Sequence, residues 1–315
     1  MRPQRGPRAC SGFLPARGSC RLMTGSIVAW LMLACPLRAQ AQSPSTKIEA
    51  LGLESMKVGR VTALFSPNDR ARAKELAELS EAAAVFFERE LGVSFECRLA
   101  ILGPTQWFSP HGGPGMPYGI PWGLTAERLM VVPASLREGV LINGTDAVAD
   151  RRRIDFVTLH EFGHLIAKSY LHPTSAHEEL PIPWFDEIVA TYFGYAFVSS
   201  IDRDWAEASR KEWMADVASY TPRTRSLDWS FMRGLPPAEL ASTYGWYQVV
   251  LNLRVADVYA NHGLGFLRAL KEKLPFHSMS TWTTESLLAD LERITPGFQR
   301  WADEFQRSAN HPKNN

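Results

Sequence analysis

The sequence predicts an α+β fold with strands in its first half and helices filling its second. Three observations lead there. Short β-type apolar stretches occur at residues 98–102 and 128–132, and none follows. From residue 155 onward, seven stretches carry apolar residues at helical spacing. Composition is ordinary for a packed globular chain, with 315 residues, 45% hydrophobic and 21% charged, enough for one large domain or two small ones. Runs of strands followed by runs of helices are the α+β pattern. That composition excludes low-complexity disorder and collagen-like repeats.

The first 41 residues read as a secretory leader. They hold six Arg (Arg2, Arg5, Arg8, Arg17, Arg21, Arg38) and no acid, then an apolar run at 27–37, then Ala39-Gln40-Ala41 as a small-x-small cleavage site. Residues 25–37 supply thirteen uncharged, mostly apolar positions, short of the about 20 that a spanning helix needs. The mature chain is therefore expected to be exported, periplasmic or secreted, with no membrane span after cleavage. Cys35 sits in a poor context for lipid attachment, and Met23 is an alternative start. With the six Arg set aside, 28 basic residues face 33 acidic ones, a net of −5. A mildly acidic body argues against a nucleic-acid partner, which needs clustered Lys and Arg. Cys10, Cys20 and Cys35 leave with the leader, so Cys97 has no intramolecular partner and reads as a small buried hydrophobe.

Residues 42–60 read as a linker or N-terminal segment. A helix follows at 68–91: Asn68 or Asp69 caps it, Ala73, Leu76, Leu79, Ala83, Phe86 and Phe87 form its stripe, and Gly92 ends it. The strand at 98–102 leads into a Gly/Pro-rich stretch, 103–124, which reads as a loop. The strand at 128–132 comes next. Asn143-Gly144-Thr145 is read as a turn rather than a glycosylation site. Residues 150–155, with Arg151, Arg152 and Arg153, read as the solvated start of a helix. Helices are expected at 155–170, 184–200, 202–218, 243–261, 266–273, 284–292 and 298–308. The ten Trp are expected in the core rather than in a carbohydrate groove.

The chemistry lies in His160-Glu161-Phe162-Gly163-His164. Residues four apart lie one turn apart on one helix face, so both imidazoles can grip one ion. Glu161 projects beside them, able to take a proton from a metal-bound water. Zn2+ suits two imidazoles and a carboxylate, with a fourth position left for water. The metzincin continuation fails, because Ala167 and Tyr170 stand where Gly and His are needed. His172 and His177 are possible third ligands in a Pro-containing loop. Glu187 is the better candidate, since a return helix can lay a first-turn carboxylate against the ion. Twenty-two residues between His164 and Glu187 leave room for that return.

With Trp184-Phe185-Asp186-Glu187-Ile188-Val189-Ala190, the chain resembles the gluzincin metallopeptidases, in particular the peptidase MA-like group related to the gluzincin aminopeptidases. The resemblance covers the order of elements between about residues 60 and 275. It implies a zincin-like domain, with a small N-terminal mixed sheet plus helices, the His-Glu-x-x-His helix and a helical C-terminal part. It assigns residues 61–312 to one catalytic domain, its helical subdomain starting at about 184. The family's W-x-x-E-x-x-A motif makes Glu187 the third zinc ligand. A later helix carries a tyrosine that hydrogen-bonds the oxyanion, and Tyr244 and Tyr247 are the candidates, with Tyr244 favoured. Arg254, on that helix, is either a binder of a substrate carboxylate or a paired arginine. A sheet-edge strand above the zinc receives an extended peptide, and residues 128–132 are the candidate, with Tyr118 and Trp122 walling the cleft. The aminopeptidases' G-x-M-E-N motif is not seen. The expected partner is a peptide or protein substrate. An inactive envelope-binding protein on the same fold and a zinc amidase with a non-peptide substrate remain open as alternatives.

Overall fold

The computed structural model describes residues 43–108, 118, 121–134, 147–174, 179–220, 222, 225–228, 230, 235 and 237–307. The leader, His177, Asn143-Gly144-Thr145, Trp229 and most of the Gly/Pro stretch lie outside them.

Helix α1 (Pro44–Glu49) is capped by the Ser43 side chain, which accepts from the Thr46 amide. Strands β1 (Glu54–Val58) and β2 (Val61–Phe65) form an antiparallel hairpin whose turn holds Gly59 at φ 55°. The expected linker therefore holds a helix and an edge strand. Its polar composition fits both, because β1 buries none of its residues fully. Helix α2 (Arg70–Leu91) follows and ends on Gly92 in the left-handed region, at φ 67°. Ala73, Leu76, Ala83, Phe86 and Phe87 are buried as the stripe predicts.

Strand β3 (Cys97–Leu102) pairs parallel with β2 and with β5 (Leu129–Pro133), while β4 (Trp122–Leu124) pairs antiparallel with β5. The sheet order is β1-β2-β3-β5-β4. Thus the strand expected at the edge is interior, and the edge on that side belongs to β4, inside the stretch read as a loop. The reason is visible in β5: Leu129, Met130, Val131 and Val132 are apolar on both faces, the mark of a strand covered on both sides. One face, with Leu99, Ile101, Met130 and Val132, joins the main core. The other, with Ala100, Leu102, Leu129 and Val131, packs under Ile48 of α1 beside Trp122. Cys97 is buried, and burial pushes its thiol pKa up to about 12, as a structural cysteine requires.

The helical part comprises α3 (Ala147–Leu171), α4 (Pro183–Ile201), α5 (Arg203–Val217), α6 (Pro237–His262), α7 (Gly265–Lys273), α8 (Thr284–Ile294) and α9 (Phe298–Arg307). Helix α3 begins eight residues before the expected 155, and the Arg151–Arg153 run is ion-paired rather than simply solvated. Arg151 pairs with Glu75 at 2.8 Å, Arg152 with Asp202 at 3.0 Å, and Arg153 with Glu212. These contacts tie α3 to α2, the α4–α5 junction and α5. Arg72 of α2 adds a bond to Asp155 at 2.6 Å.

Helix α4 is apolar on all sides and packs against α3, α5 and α6. Between Trp184 and Val198 only Asp186 and Glu187 escape full burial. An edge-to-face contact of Phe87 with Phe193 (5.1 Å) and a tilted one of Phe86 with Phe197 (5.8 Å) lock α2 onto it. Trp184, Trp205, Trp213 and Trp246 are core residues, as expected. No described helix is long and apolar enough to cross a membrane.

Candidate metal centre

Helices α3 and α4 run antiparallel, with Gly163 beside Ala190 and Gly194 beside His160. This presents the imidazoles of one helix to the first-turn carboxylates of the other. His160 Nε2 lies 3.1 Å from Glu187 Oε2, and the His160 and His164 rings stand 4.9 Å apart, nearly perpendicular. One atom from each of His160, His164 and Glu187 falls within 4.8 Å of the others, and among the described residues this is the one group so arranged.

The outer nitrogens are already engaged. His160 Nδ1 meets Thr191 Oγ1 at 2.9 Å, and Thr191 donates its own proton to Asn252 Oδ1 at 3.1 Å. Thr191 must therefore accept from His160 Nδ1–H, which fixes the tautomer and leaves Nε2 as a lone pair. Likewise His164 Nδ1–H donates to Asp186 Oδ2 at 2.9 Å, while Leu180 N donates to Asp186 Oδ1 at 3.2 Å. His160 Nε2 faces Glu187, and the engagement of His164 Nδ1 leaves its Nε2 for an ion.

A zinc ion fits these residues. Glu187 Oε2 is buried with no hydrogen-bond partner, and it faces the lone pair of His160 Nε2. Two electron-rich atoms at that separation repel unless a proton or a metal ion lies between them. Tetrahedral zinc, with bonds of about 2.0–2.2 Å, sets its ligands about 3.3 Å apart, close to the spacing seen. Charge argues the same way. Burial opposes ionisation of Glu187, but His160, His164 and Gln248 outweigh it and bring its pKa down to about 2. Burial likewise opposes a charged His164, yet Asp186 overrides it and lifts the imidazole to about 10. The extra proton then sits on Nε2, the atom a metal would take, so metal binding releases it.

Glu161 lies against the sheet edge: a Cβ at Gly123 of β4 would stand 3.3 Å from its Oε2. Burial raises the Glu161 pKa, partly offset by the two imidazoles and the Gly123 amide. Helix α6 supplies Tyr244, Gln248 and Asn252, each one turn apart on one face. Gln248 Nε2 donates to the Tyr244 hydroxyl at 2.8 Å. Burial, with Glu187 and Glu161 nearby, holds the Tyr244 pKa well above its ordinary value, so the phenol keeps its proton.

Tyr247 is elsewhere, fully buried, donating to the Leu227 carbonyl at 3.3 Å with its ring against Phe305. His172 is also removed from the donor group, 3% exposed and stacked on Phe276 rather than solvated in a loop. Arg254 lies over the rings of Phe298 (4.3 Å) and Trp301 (5.7 Å), where it pins α9 to α6. Tyr118 and Trp122 both sit in aromatic pairs before and on β4, with Trp107 and Phe108.

Asp186, Thr191, Gln248, Asn252 and Gly123 escaped sequence reasoning. Position carried a signal for two: Asp186 precedes Glu187, and Thr191 follows it by one turn on an otherwise apolar helix. Replacing Thr191 with Val should weaken zinc binding about 10- to 100-fold, while Thr191→Ser retains it, read by competition with a chromophoric chelator.

A helix bearing His-Glu-x-x-His, packed antiparallel against a helix that returns a glutamate, beside a small mixed sheet, makes a zincin-like α+β fold with a donor group that a zinc ion fits. No protein-family model matches the chain, and no curated protein matches it. Among solved structures it is similar to yeast LTA4 hydrolase in complex with bestatin, at TM-score 0.50 and 14% identity, over 84% of this chain and 40% of that one. A second similar structure is a glutamate-to-alanine mutant of a two-domain M1 zinc metallopeptidase bound to L-tryptophan (TM-score 0.38, 15% identity, 79% of this chain and 50% of that one). The chain thus spans two-fifths to half the length of these structures.

Proposed function

We propose that this chain is an exported zinc-dependent peptidase with His160, His164 and Glu187 as ligands and Glu161 as general base. The observation that carries the reading is the inward convergence of His160 Nε2 and an unpartnered Glu187 Oε2 at 3.1 Å, with Glu161 alongside. Export rests on the Arg-rich, apolar, Ala-x-Ala leader of residues 1–41.

Zinc held by His160, His164 and Glu187 would acidify a bound water and polarise the scissile carbonyl. Glu161 takes the water's proton and delivers it to the leaving amine. The Gly123 amide steadies the charge of its ionised form. Thr191 and Asp186 keep both imidazoles in the tautomer that offers Nε2. The Tyr244 hydroxyl donates a hydrogen bond to the oxyanion while keeping its proton, and Gln248 aims that hydroxyl. Residue 123 has no side chain, so an extended peptide can approach Glu161 along the outer edge of β4, the terminal strand among the described residues.

Tyr244→Phe should lower kcat on a mixed peptide library about 10²- to 10³-fold with little change in zinc content. Tyr247→Phe should act on stability instead, by about 1 kcal/mol. A large loss of kcat on Tyr247→Phe with none on Tyr244→Phe would reverse the assignment.

A further inference from the structure

We propose that direct backbone contact between α3 and α4 at Gly163 sets the separation of Glu187 from the two imidazoles, making Gly163 a positioning residue for the metal; this rests on the zinc reading above. A Cβ built on Gly163 would stand 2.2 Å from the Ala190 carbonyl oxygen, 2.8 Å from its carbon and 2.9 Å from Ala190 Cα. These are backbone atoms, which cannot rotate aside as a side chain can. To reach ordinary van der Waals distance, at 3.4 Å and beyond, one helix must move by more than about 1 Å.

The contact continues on the other side of the site. A Cβ on Gly194 would lie 3.3 Å from His160 N and Leu159 C. The two helices therefore touch without an intervening layer of side chains between Gly163 and Gly194, whereas side-chain contact usually holds helix axes about 8–10 Å apart. The ligands flank this contact closely. His160 and His164 lie three residues before and one after Gly163, and Glu187 and Thr191 lie three before and one after Ala190. Any widening at Gly163 therefore opens the His160–Glu187 gap and pulls Thr191 from His160 Nδ1. Zinc tolerates only about 0.2 Å of error in each ligand distance. Helix propensity favours alanine over glycine in the middle of α3, so the glycine is explained by the contact and not by the helix.

The test uses the full chain and two readouts: zinc affinity by chelator competition, and the visible spectrum of the Co2+-substituted protein. Gly163→Ala should bind zinc at least about tenfold more weakly, the loss typical of misdirected ligands, with an altered Co2+ spectrum. Gly194→Ala, which demands only a few tenths of an ångström, should lose less. Ala190→Gly removes no contact in question and should bind as the wild type does. A purely structural role would lower Tm while leaving the affinity of the folded protein unchanged. A folded Gly163→Ala chain with wild-type affinity and spectrum overturns the proposal. If that variant does not fold, unchanged affinity in Gly194→Ala overturns it. Failure of the wild type to bind zinc would instead refute the metal reading itself.

Discussion

Glu161→Gln is expected to bind zinc as tightly as the wild type and to lose peptide hydrolysis by about 10²- to 10⁴-fold, the range for removing a general base. The separation of the two readouts follows from the geometry. The three donor atoms belong to His160, His164 and Glu187, and each is oriented by a partner other than Glu161: Thr191, Asp186 and Gln248. Glutamine preserves the volume and can still accept from the Gly123 amide, so β4 keeps its place. What disappears is a carboxylate able to hold a proton between the attacking water and the leaving amine. Zinc titration and steady-state kinetics on a peptide library decide the matter. Undiminished turnover would remove Glu161 from the chemistry.

Glu187→Ala should weaken zinc binding by more than about 100-fold, beyond the loss expected from any outer partner. Here the argument is electrostatic as well as geometric. Glu187 would be the one anionic ligand of the three, and its pKa of about 2 keeps it charged at any physiological pH. Removing it deprives the ion of a bond and leaves the lone pair of His160 Nε2 without its partner across the site. Asp186, next in sequence, cannot substitute, because both its oxygens are occupied by His164 and Leu180. Hydrolysis should fall with the metal content, and added zinc at high concentration should restore part of it.

Long periodic helices and the apolar strands β3 and β5 are legible in the sequence; α1, β1, β2 and β4 are not. The stripe of α2 and the two motifs of α3 and α4 stand in residue spacing alone, because each helix buries one recognisable face or, in α4, every face. Strand β4 is three residues long and lies at the end of a Gly/Pro-rich stretch, so no alternation could reveal it. Its neighbour β5 was recognised as a strand but misplaced at the edge, although its unbroken apolar run already favoured the interior. The start of α3 was hidden because its Arg residues look solvated until Glu75, Asp202 and Glu212 arrive from other helices.

The two candidate tyrosines differ in their neighbours along α6. Tyr247, Leu251, Val255 and Val258 form a buried apolar stripe, whereas Tyr244, Gln248 and Asn252 form a polar one. A polar row on a largely buried helix marks the face turned to the site. Thr191 and Asp186 needed the structure, since each matters only through a hydrogen bond to a specific imidazole nitrogen.

The most direct measurement is X-ray absorption at the zinc edge on the purified chain, with zinc counted per molecule. One zinc per chain, bound by two imidazole nitrogens and oxygen at about 2.0–2.2 Å, is the predicted result. A wild-type chain that holds no zinc, or zinc whose coordination is unaltered in Glu187→Ala, would contradict it.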